Sequence, residues 1–291
     1  MNLVVGATGL LGGEICRLLA ERRLPVRGLA RETSSPERVA QLKNLGVEIV
    51  RGDLKDRASL AAACRGATAV ISTASSTISR QGGDSIESVD QQGQLNLIEE
   101  AEAAGVKQFV LVSFPGANVD FPLQAAKRAV EARLRRSRMT YTILQPTCFM
   151  EVWLSPALGF DPANATARIY GSGNNRISWI SFQDVAQFAV AALGSARARN
   201  MVVKLGGPEA LSPLEVVRLA EKAVGKEVAV QHVPEEALRA QLDVVTDSLQ
   251  KSFAGLMLYY AAGDAIEMAD TLRAFPVPKL KSVRELLQAI A

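Results

Sequence analysis

Short apolar runs alternate with stretches of helical periodicity through the first half of the chain. The runs at 2–6, 25–30, 47–51, 68–72, 107–113 and 140–145 predict six strands, and the periodic stretches near 10–22, 36–44, 56–64, 85–104 and 122–137 predict helices between them. Strands joined by helices at this spacing build parallel β-α-β units, so the pattern predicts an α/β fold with a doubly wound parallel sheet. The punctuation agrees: Ser35-Pro36 opens a helix, and Gly46 and Gly105 stand where helices hand over to the next strand. After Pro146 the pattern loosens, and 146–180 is rich in Pro, Gly and Asn. A strand at 201–205 and helices at 181–194 and 212–224 predict a smaller C-terminal α/β lobe interleaved with the sheet. The expected division is a sheet domain over 1–150 and a smaller, substrate-covering lobe over 151–291, within one compact chain. No internal repeat or low-complexity segment interrupts this alternation.

The first strand runs directly into Gly6-Ala7-Thr8-Gly9-Leu10-Leu11-Gly12, and a helical stretch follows without a break. Gly6 lets the chain reverse off the strand, and Gly9, lacking a Cβ, lets the backbone approach a pyrophosphate. Gly12 lets the helix pack close to the sheet, with its free N–H groups and positive dipole end facing the phosphates. A glycine triplet alone is weak evidence, but the strand before it and the helix after it supply the context that a dinucleotide-binding turn requires.

The end of the second strand, Val26-Arg27-Gly28-Leu29-Ala30-Arg31, bears on which dinucleotide binds. An acidic residue here grips the ribose hydroxyls of NAD, whereas Arg pairs bidentately with the 2′-phosphate of NADP. Arg31 therefore favours NADP(H) over NAD(H), with Thr33, Ser34 and Ser35 as further donors; Glu32 holding a ribose and a merely solvated Arg31 are the alternatives. In Gly52-Asp53-Leu54 an Asp can accept from the adenine amino group and a Leu can cover the ring, or the Asp can cap the helix starting near Asp56.

Composition narrows the classes. Hydrophobic residues at 48% and charged residues at 22% suit a globular core. A net charge of +3 is too small to argue for nucleic acid, and Arg133, Arg135, Arg136 and Arg138 close a predicted helix, where cations suit the dipole. Cys16, Cys64 and Cys148 have no Cys-x-x-Cys spacing, which points to reduced thiols, no metal site and a cytoplasmic setting. With a first strand beginning right after Met1, no leader is expected, and no apolar run is long enough to span a membrane.

Taken together, Gly-Ala-Thr-Gly-x-x-Gly, Arg31, Gly52-Asp53-Leu54, Ser72-Thr73-Ala74, Ala104-Gly105-Val106 with Phe109-Val110, and Tyr141-Thr142-Ile143-Leu144-Gln145-Pro146 resemble the NmrA-like group of atypical short-chain dehydrogenases over most of 1–225. The resemblance implies a Rossmann fold that binds NADP(H). It also implies relatives that reduce quinones, azo or triphenylmethane dyes and phenylpropanoids, and others that bind the dinucleotide as redox sensors or assembly factors. Carried over residue by residue, Gly6, Ala7, Thr8, Gly9, Leu10, Leu11 and Gly12 would hold the pyrophosphate, Arg31 the 2′-phosphate, and Asp53 and Leu54 the adenine. Thr73 and Ala74, with Ser75, would line the nicotinamide ribose, and Pro146 to Phe149, including Cys148, would back the nicotinamide ring.

One departure matters. Ordinary short-chain dehydrogenases use Tyr-x-x-x-Lys to move a proton. Tyr141, Tyr170, Tyr259 and Tyr260 are followed four residues on by Gln145, Asn174, Gly263 and Asp264, and Lys127 has Leu123 at the Tyr position. By the resemblance, Lys127 lies near the nicotinamide and serves ribose or substrate oxygen; the alternative is an exposed ion pair on a helix that also carries Arg128 and Glu131. Ser113, closing the fifth strand, is the second catalytic candidate, against plain strand-end hydrogen bonding. Cys148 reads as a buried, inert thiol even beside a cofactor. His232, the only histidine, has no second ligand at metal-binding spacing, and Asp184 reads as serving the start of the helix near Ser181. The apolar run 255–262 is either a buried helix closing a pocket or a partner surface, with the first preferred.

The expected function is an NADPH-dependent reductase of a small acceptor such as a quinone. The alternative is a non-catalytic NADP(H)-binding redox-sensor, regulatory or assembly protein. Besides the small-molecule acceptor, a homodimer mate or a regulatory protein partner is compatible with this reading.

Overall fold

The computed structural model describes residues 1–78, 80–275 and 277–290. Residues Met1–Phe114, Ala125–Gln145 and Val185–Val203 form one compact unit, and Pro115–Gln124, Pro146–Asp184 and Lys204–Ala291 form a second.

The first unit is built by alternation. Its strands are β1 (Asn2–Val5), β2 (Val26–Ala30), β3 (Glu48–Arg51), β4 (Ala69–Ser72), β5 (Gln108–Val112) and β6 (Thr140–Pro146). Between them run the helices α1 (Leu10–Glu21), α2 (Pro36–Asn44), α3 (Arg57–Cys64), α4 (Gln94–Ala103) and α5 (Pro122–Arg135). With a later strand, β9 (Met201–Leu205), they make a seven-stranded sheet of order β3-β2-β1-β4-β5-β6-β9, and each adjacent pair from β3 to β6 runs parallel. Chain order reverses between β1 and β4, which is where open sheets of this kind place a ligand. The fold is α/β and doubly wound, as the strand and helix alternation predicts.

Leu3, Val70, Phe109, Leu111 and Ile143 from the strands pack with Leu60, Leu97 and Leu134 from the helices in a fully buried cluster. Because a parallel sheet is covered on both faces, its strands read as nearly unbroken apolar runs, which is how they were legible. Helix starts follow their caps: Ser35 Oγ accepts the Arg38 N–H with Pro36 in the first turn, and Asp56, not Asp53, accepts the Ala58 N–H at the start of α3.

The structure departs from the expected continuous helix over 85–104. Ile86–Gly93 is π-helical, opened by a reciprocal Ser85/Ser88 capping box, and α-helical winding begins only at Gln94. Such wide turns occur mostly where a side chain has to be aimed.

The second unit contains a smaller mixed sheet of order β10-β8-β7, formed by β7 (Phe160–Asp161), β8 (Thr166–Tyr170) and β10 (Ala229–Val233). Helix α8 (Pro213–Val224) carries a Ser212/Glu215 capping box and ends on Gly225 in the left-handed region. Helix α10 (Ser248–Ala262) contains the apolar run 255–262, and Met257, Leu258, Tyr259, Tyr260 and Ala261 are all buried, so the run is core and not an exposed partner face. Tyr260 packs against Trp153, Tyr170 and Trp179 at centroid distances of 5.3, 5.4 and 5.7 Å. No helix among the described residues is long and apolar enough to cross a membrane.

Candidate dinucleotide-binding and catalytic site

The turn after β1 is tight. Gly9 N–H donates to Gly6 O at 3.0 Å, and Gly6 sits at φ +88° with the position of a Cβ only 2.6 Å from Thr73 Oγ1. A Cβ on Gly12 would lie 2.1 Å from Gly6 O, so only glycine lets α1 start this close under the turn. Gly9 is the N-cap of α1 and supplies no side-chain cap, and the first turn of the helix holds no acidic residue. The N–H groups of Leu10, Leu11 and Gly12 are therefore left for an external acceptor, and the dipole end is not neutralised. That fits a pyrophosphate. Ala7 is buried beneath the turn, and Thr8 Oγ1 lies 3.5 Å from Ser34 Oγ, which connects it to the loop after β2.

Arg31 follows β2 directly. Its Nη1 donates to Asp84 Oδ2 at 2.6 Å, and Lys55 Nζ donates to Asp84 Oδ1, also at 2.6 Å. Burial alone would raise the Asp84 carboxyl, but the hydrogen bonds from Lys55, Arg31 and the Gln81 N–H outweigh it and hold the group below its ordinary value. Asp53 accepts the Lys55 N–H at 2.8 Å in a local turn, its own N–H is held by Ser59 Oγ, and Leu54 is buried beside it.

Beyond β4, Thr73 Oγ1 donates back to Val5 O, and Ser75 Oγ lies 3.1 Å from Thr77 Oγ1. Gln94 fixes this segment from below: it accepts from Ser72 Oγ at 2.8 Å and donates to Ala74 O at 3.0 Å. One π-helical turn earlier lies Asp90, completely buried. Its Oδ2 accepts from Ser76 N–H at 2.9 Å and Ser76 Oγ at 2.6 Å, and its Oδ1 faces Lys127 Nζ at 3.2 Å. Lys127 is buried too, which corrects the alternative of an exposed ion pair with Glu131. Glu131 is instead taken by Arg128, by Arg135 and by Gln145 Nε2 at 3.0 Å. Among the described residues the only buried side-chain oxygens without a hydrogen bond are Asp90 Oδ1 and Ser113 Oγ. Ser113 N–H is satisfied by Leu144 O, so the open valence belongs to the hydroxyl alone. A buried polar atom without a partner costs about 1–3 kcal/mol, a cost usually tolerated where a ligand satisfies it.

In the second unit, Pro146 ends β6 and Thr147 Oγ1 donates to Ser178 O. Cys148 is buried, and burial pushes its thiol well up, with Asp264 adding to the shift, so it is not a nucleophile at neutral pH. Phe149 is the N-cap of a short turn, α6 (Met150–Trp153), and bridges to Ile180. Glu151, not Asp184, serves the start of α7 (Phe182–Ala192), accepting from Ser181 Oγ and from Phe182 N–H at 3.1 Å. Asp184 accepts Lys281 N–H at 2.9 Å, and burial, with repulsion from Glu151, raises its carboxyl to about 6. His232 Nδ1 contacts Gly171 O at 2.9 Å, and no group of three or more His, Cys, Asp or Glu side chains among the described residues is placed to hold a metal.

Asp84, Asp90, Ser76, Gln94 and Lys55 are the participants that sequence reading misses. A signal existed for two of them: Ile86, Asp90 and Gln94 fall four apart, so a carboxylate and an amide lie in line with the buried Ile86. A carboxylate in a core-facing row needs a partner.

Residues 2–285 match the model of the NmrA-like family. The chain belongs to that family. It is 33% identical over 230 residues to the NAD(P)H azoreductase of Xenophilus azovorans, covering 78% of this chain and 75% of that protein. It is also 33% identical over 242 residues to the photosystem II assembly factor Ycf39 of Synechocystis, covering 81% of this chain and 72% of the other. In structure it resembles the NADPH-dependent quinone oxidoreductase of Escherichia coli complexed with NADPH, with a TM-score of 0.78, 21% identity and coverage of 100% and 99% of the two chains. Proteins similar in sequence to this chain thus include both a reductase and an assembly factor.

Proposed function

We propose that this NmrA-like protein binds NADP(H) at the turn Gly6–Gly12 and reduces a small conjugated acceptor such as a quinone or azo compound. The observation that carries the reading is the uncapped N-terminus of α1, with no acidic residue in its first turn, at the point where strand order reverses. In this reading Leu10, Leu11 and Gly12 N–H groups take the pyrophosphate, Arg31 takes the 2′-phosphate, Asp53 and Leu54 flank adenine, and Thr73, Ala74 and Ser75 line the ribose beyond. Bound NADPH supplies a hydride, leaving the acceptor one proton short. Lys127 Nζ, held 3.2 Å from Asp90 Oδ1, donates a hydrogen bond or that proton to an acceptor oxygen or nitrogen, and Ser113 Oγ offers a second donor. Such acceptors need little acid catalysis, which suits a chain without Tyr-x-x-x-Lys.

The test is a calorimetric titration with NADPH and NADH, followed by NADPH oxidation in the presence of benzoquinone and an azo dye. Tenfold or stronger preference for NADPH, about 1.4 kcal/mol, with acceptor-dependent oxidation supports the reading. Binding without turnover of any acceptor moves the protein to the second reading, a dinucleotide-dependent assembly factor, which the similarity to Ycf39 supports.

A further inference from the structure

The loop that leaves β4 carries its own anion to Arg31, the cation expected at the 2′-phosphate, and to Lys55. Both oxygens of Asp84 are used: Oδ2 takes Arg31 Nη1 and Oδ1 takes Lys55 Nζ, each at 2.6 Å, while Gln81 N–H adds a third donor to Oδ2 at 3.0 Å. The carboxylate side chain is only 1% exposed, although Arg31 and Lys55 remain partly exposed at 25% and 31%. An oxyanion shared between a guanidinium and an ammonium is the arrangement that a phosphate monoester would take in the same place.

We propose that Asp84 is an internal competitor for the 2′-phosphate of the dinucleotide, and that it thereby sets both the affinity for NADP(H) and the preference over NAD(H). The proposal rests on the assignment of Arg31 to that phosphate. The carboxylate carries one charge and the phosphate between about 1.5 and 2, so the ligand prevails when present, at the cost of separating Asp84 from its cations. The loop is built to allow the exchange. Gly82 and Gly83 immediately precede Asp84; a Cβ on Gly82 would meet nothing within 4 Å, and one on Gly83, which sits at φ +80°, would meet Lys55 Nζ at 3.8 Å. Gly83 O accepts from Ser88 Oγ at 3.2 Å, so the give lies at Gly82, which lets the carboxylate two residues on swing away while Ser85 stays anchored in the capping box of the π-helical turn. Nicotinamide dinucleotides without the 2′-phosphate have no group to displace Asp84 and leave it in place.

The test titrates the wild-type chain, Asp84→Asn and Arg31→Ala with adenosine 2′,5′-bisphosphate and with 5′-AMP. Asparagine keeps the shape and the acceptor for Gln81 N–H while removing the charge. Asp84→Asn is expected to bind the bisphosphate at least tenfold more tightly than the wild type, with 5′-AMP unchanged within twofold. Equal or weaker bisphosphate binding overturns the competition. Arg31→Ala tests the underlying assignment separately: it must lose the preference for the bisphosphate over 5′-AMP, and a retained preference refutes the phosphate role of Arg31 whatever Asp84→Asn does. Hydrogen exchange on the wild-type chain keeps the test independent of the variants. The Gln81 amide is expected to lose protection with the bisphosphate and keep it with 5′-AMP, and unchanged protection with both overturns the proposal.

Discussion

Replacing Lys127 by methionine isolates the buried ion pair beneath the segment after β4. Asp90 is fully buried, its Oδ2 is satisfied twice by Ser76, and its Oδ1 has no hydrogen bond and only the Lys127 ammonium 3.2 Å away. Methionine fills the space of the lysine stem but leaves a carboxylate in the interior with no countercharge. Breaking a buried pair from one side costs about 3–5 kcal/mol, because the remaining charge keeps its desolvation penalty. For a chain of this size that corresponds to a melting point lower by on the order of 10 °C. Asp90→Asn should cost less, since an ammonium on a flexible stem can reach water more easily than a carboxylate fixed on the helix. The double variant, Lys127→Met with Asp90→Asn, has no buried charge left and should recover at least half of the loss in Lys127→Met. Urea unfolding of all four proteins closes the double-mutant cycle. A Lys127→Met protein within 1 kcal/mol of the wild type, or a double variant no better than Lys127→Met alone, would show that the pair is solvated in solution and that the positioning argument for Lys127 is wrong.

Gly12→Ala places a Cβ 2.1 Å from Gly6 O, so the turn or the helix must move; a stability loss of about 2 kcal/mol or more and abolished NADPH titration are expected, and normal binding would contradict the close packing. Asp184 has its carboxyl raised to about 6, so its contribution is fully present below the ordinary value near 4 and is lost as pH rises through about 6. The stability advantage of Asp184→Asn over the wild type should therefore grow by about 2 kcal/mol between pH 4 and 7, and a pH-independent difference in melting point would dispose of the argument. Burial pushes the thiols of Cys16 and Cys64 up to about 12, and Cys148 higher still, so a thiol reagent at pH 8 should label none of the three within minutes in the native chain and all three in urea; rapid native labelling would mean that one of these sites opens.

The strands were readable because a parallel sheet covered on both faces leaves its mark as contiguous apolar runs, as in Asn2–Val5 and Gln108–Val112. The glycine turn was readable for the opposite reason: its constraints are local, and each is met within a dozen residues. Asp84 was not, because its role depends on Arg31 and Lys55, 53 and 29 positions away, and nothing in its own surroundings marks the meeting. Asp184 was misread for the same reason, since its N–H donor comes from Lys281, 97 positions on, and Glu151, 31 positions before Phe182, performs the capping. The continuous helix expected over 85–104 failed at the π-helical turn, where periodicity alone cannot register one extra residue.

That wide turn makes the site sensitive to chain length as well as to chemistry. A π-helical segment accommodates one residue more than an α-helix of the same rise, and the surplus lies between the Ser85 cap and Gln94. Deleting Val89, which leaves the Ser85/Ser88 box intact, would let the segment rewind as ordinary α-helix, with its two ends still held by the cap and by the packing of α4. Each residue in an α-helix advances by about 100°, so the deletion would shift Asp90 round the axis relative to Ser85 and away from Lys127. Every side chain named in the site would still be present, and the fault would lie in the phase of the helix. Alanine substitution along the same stretch, which preserves the residue count, would not reproduce it.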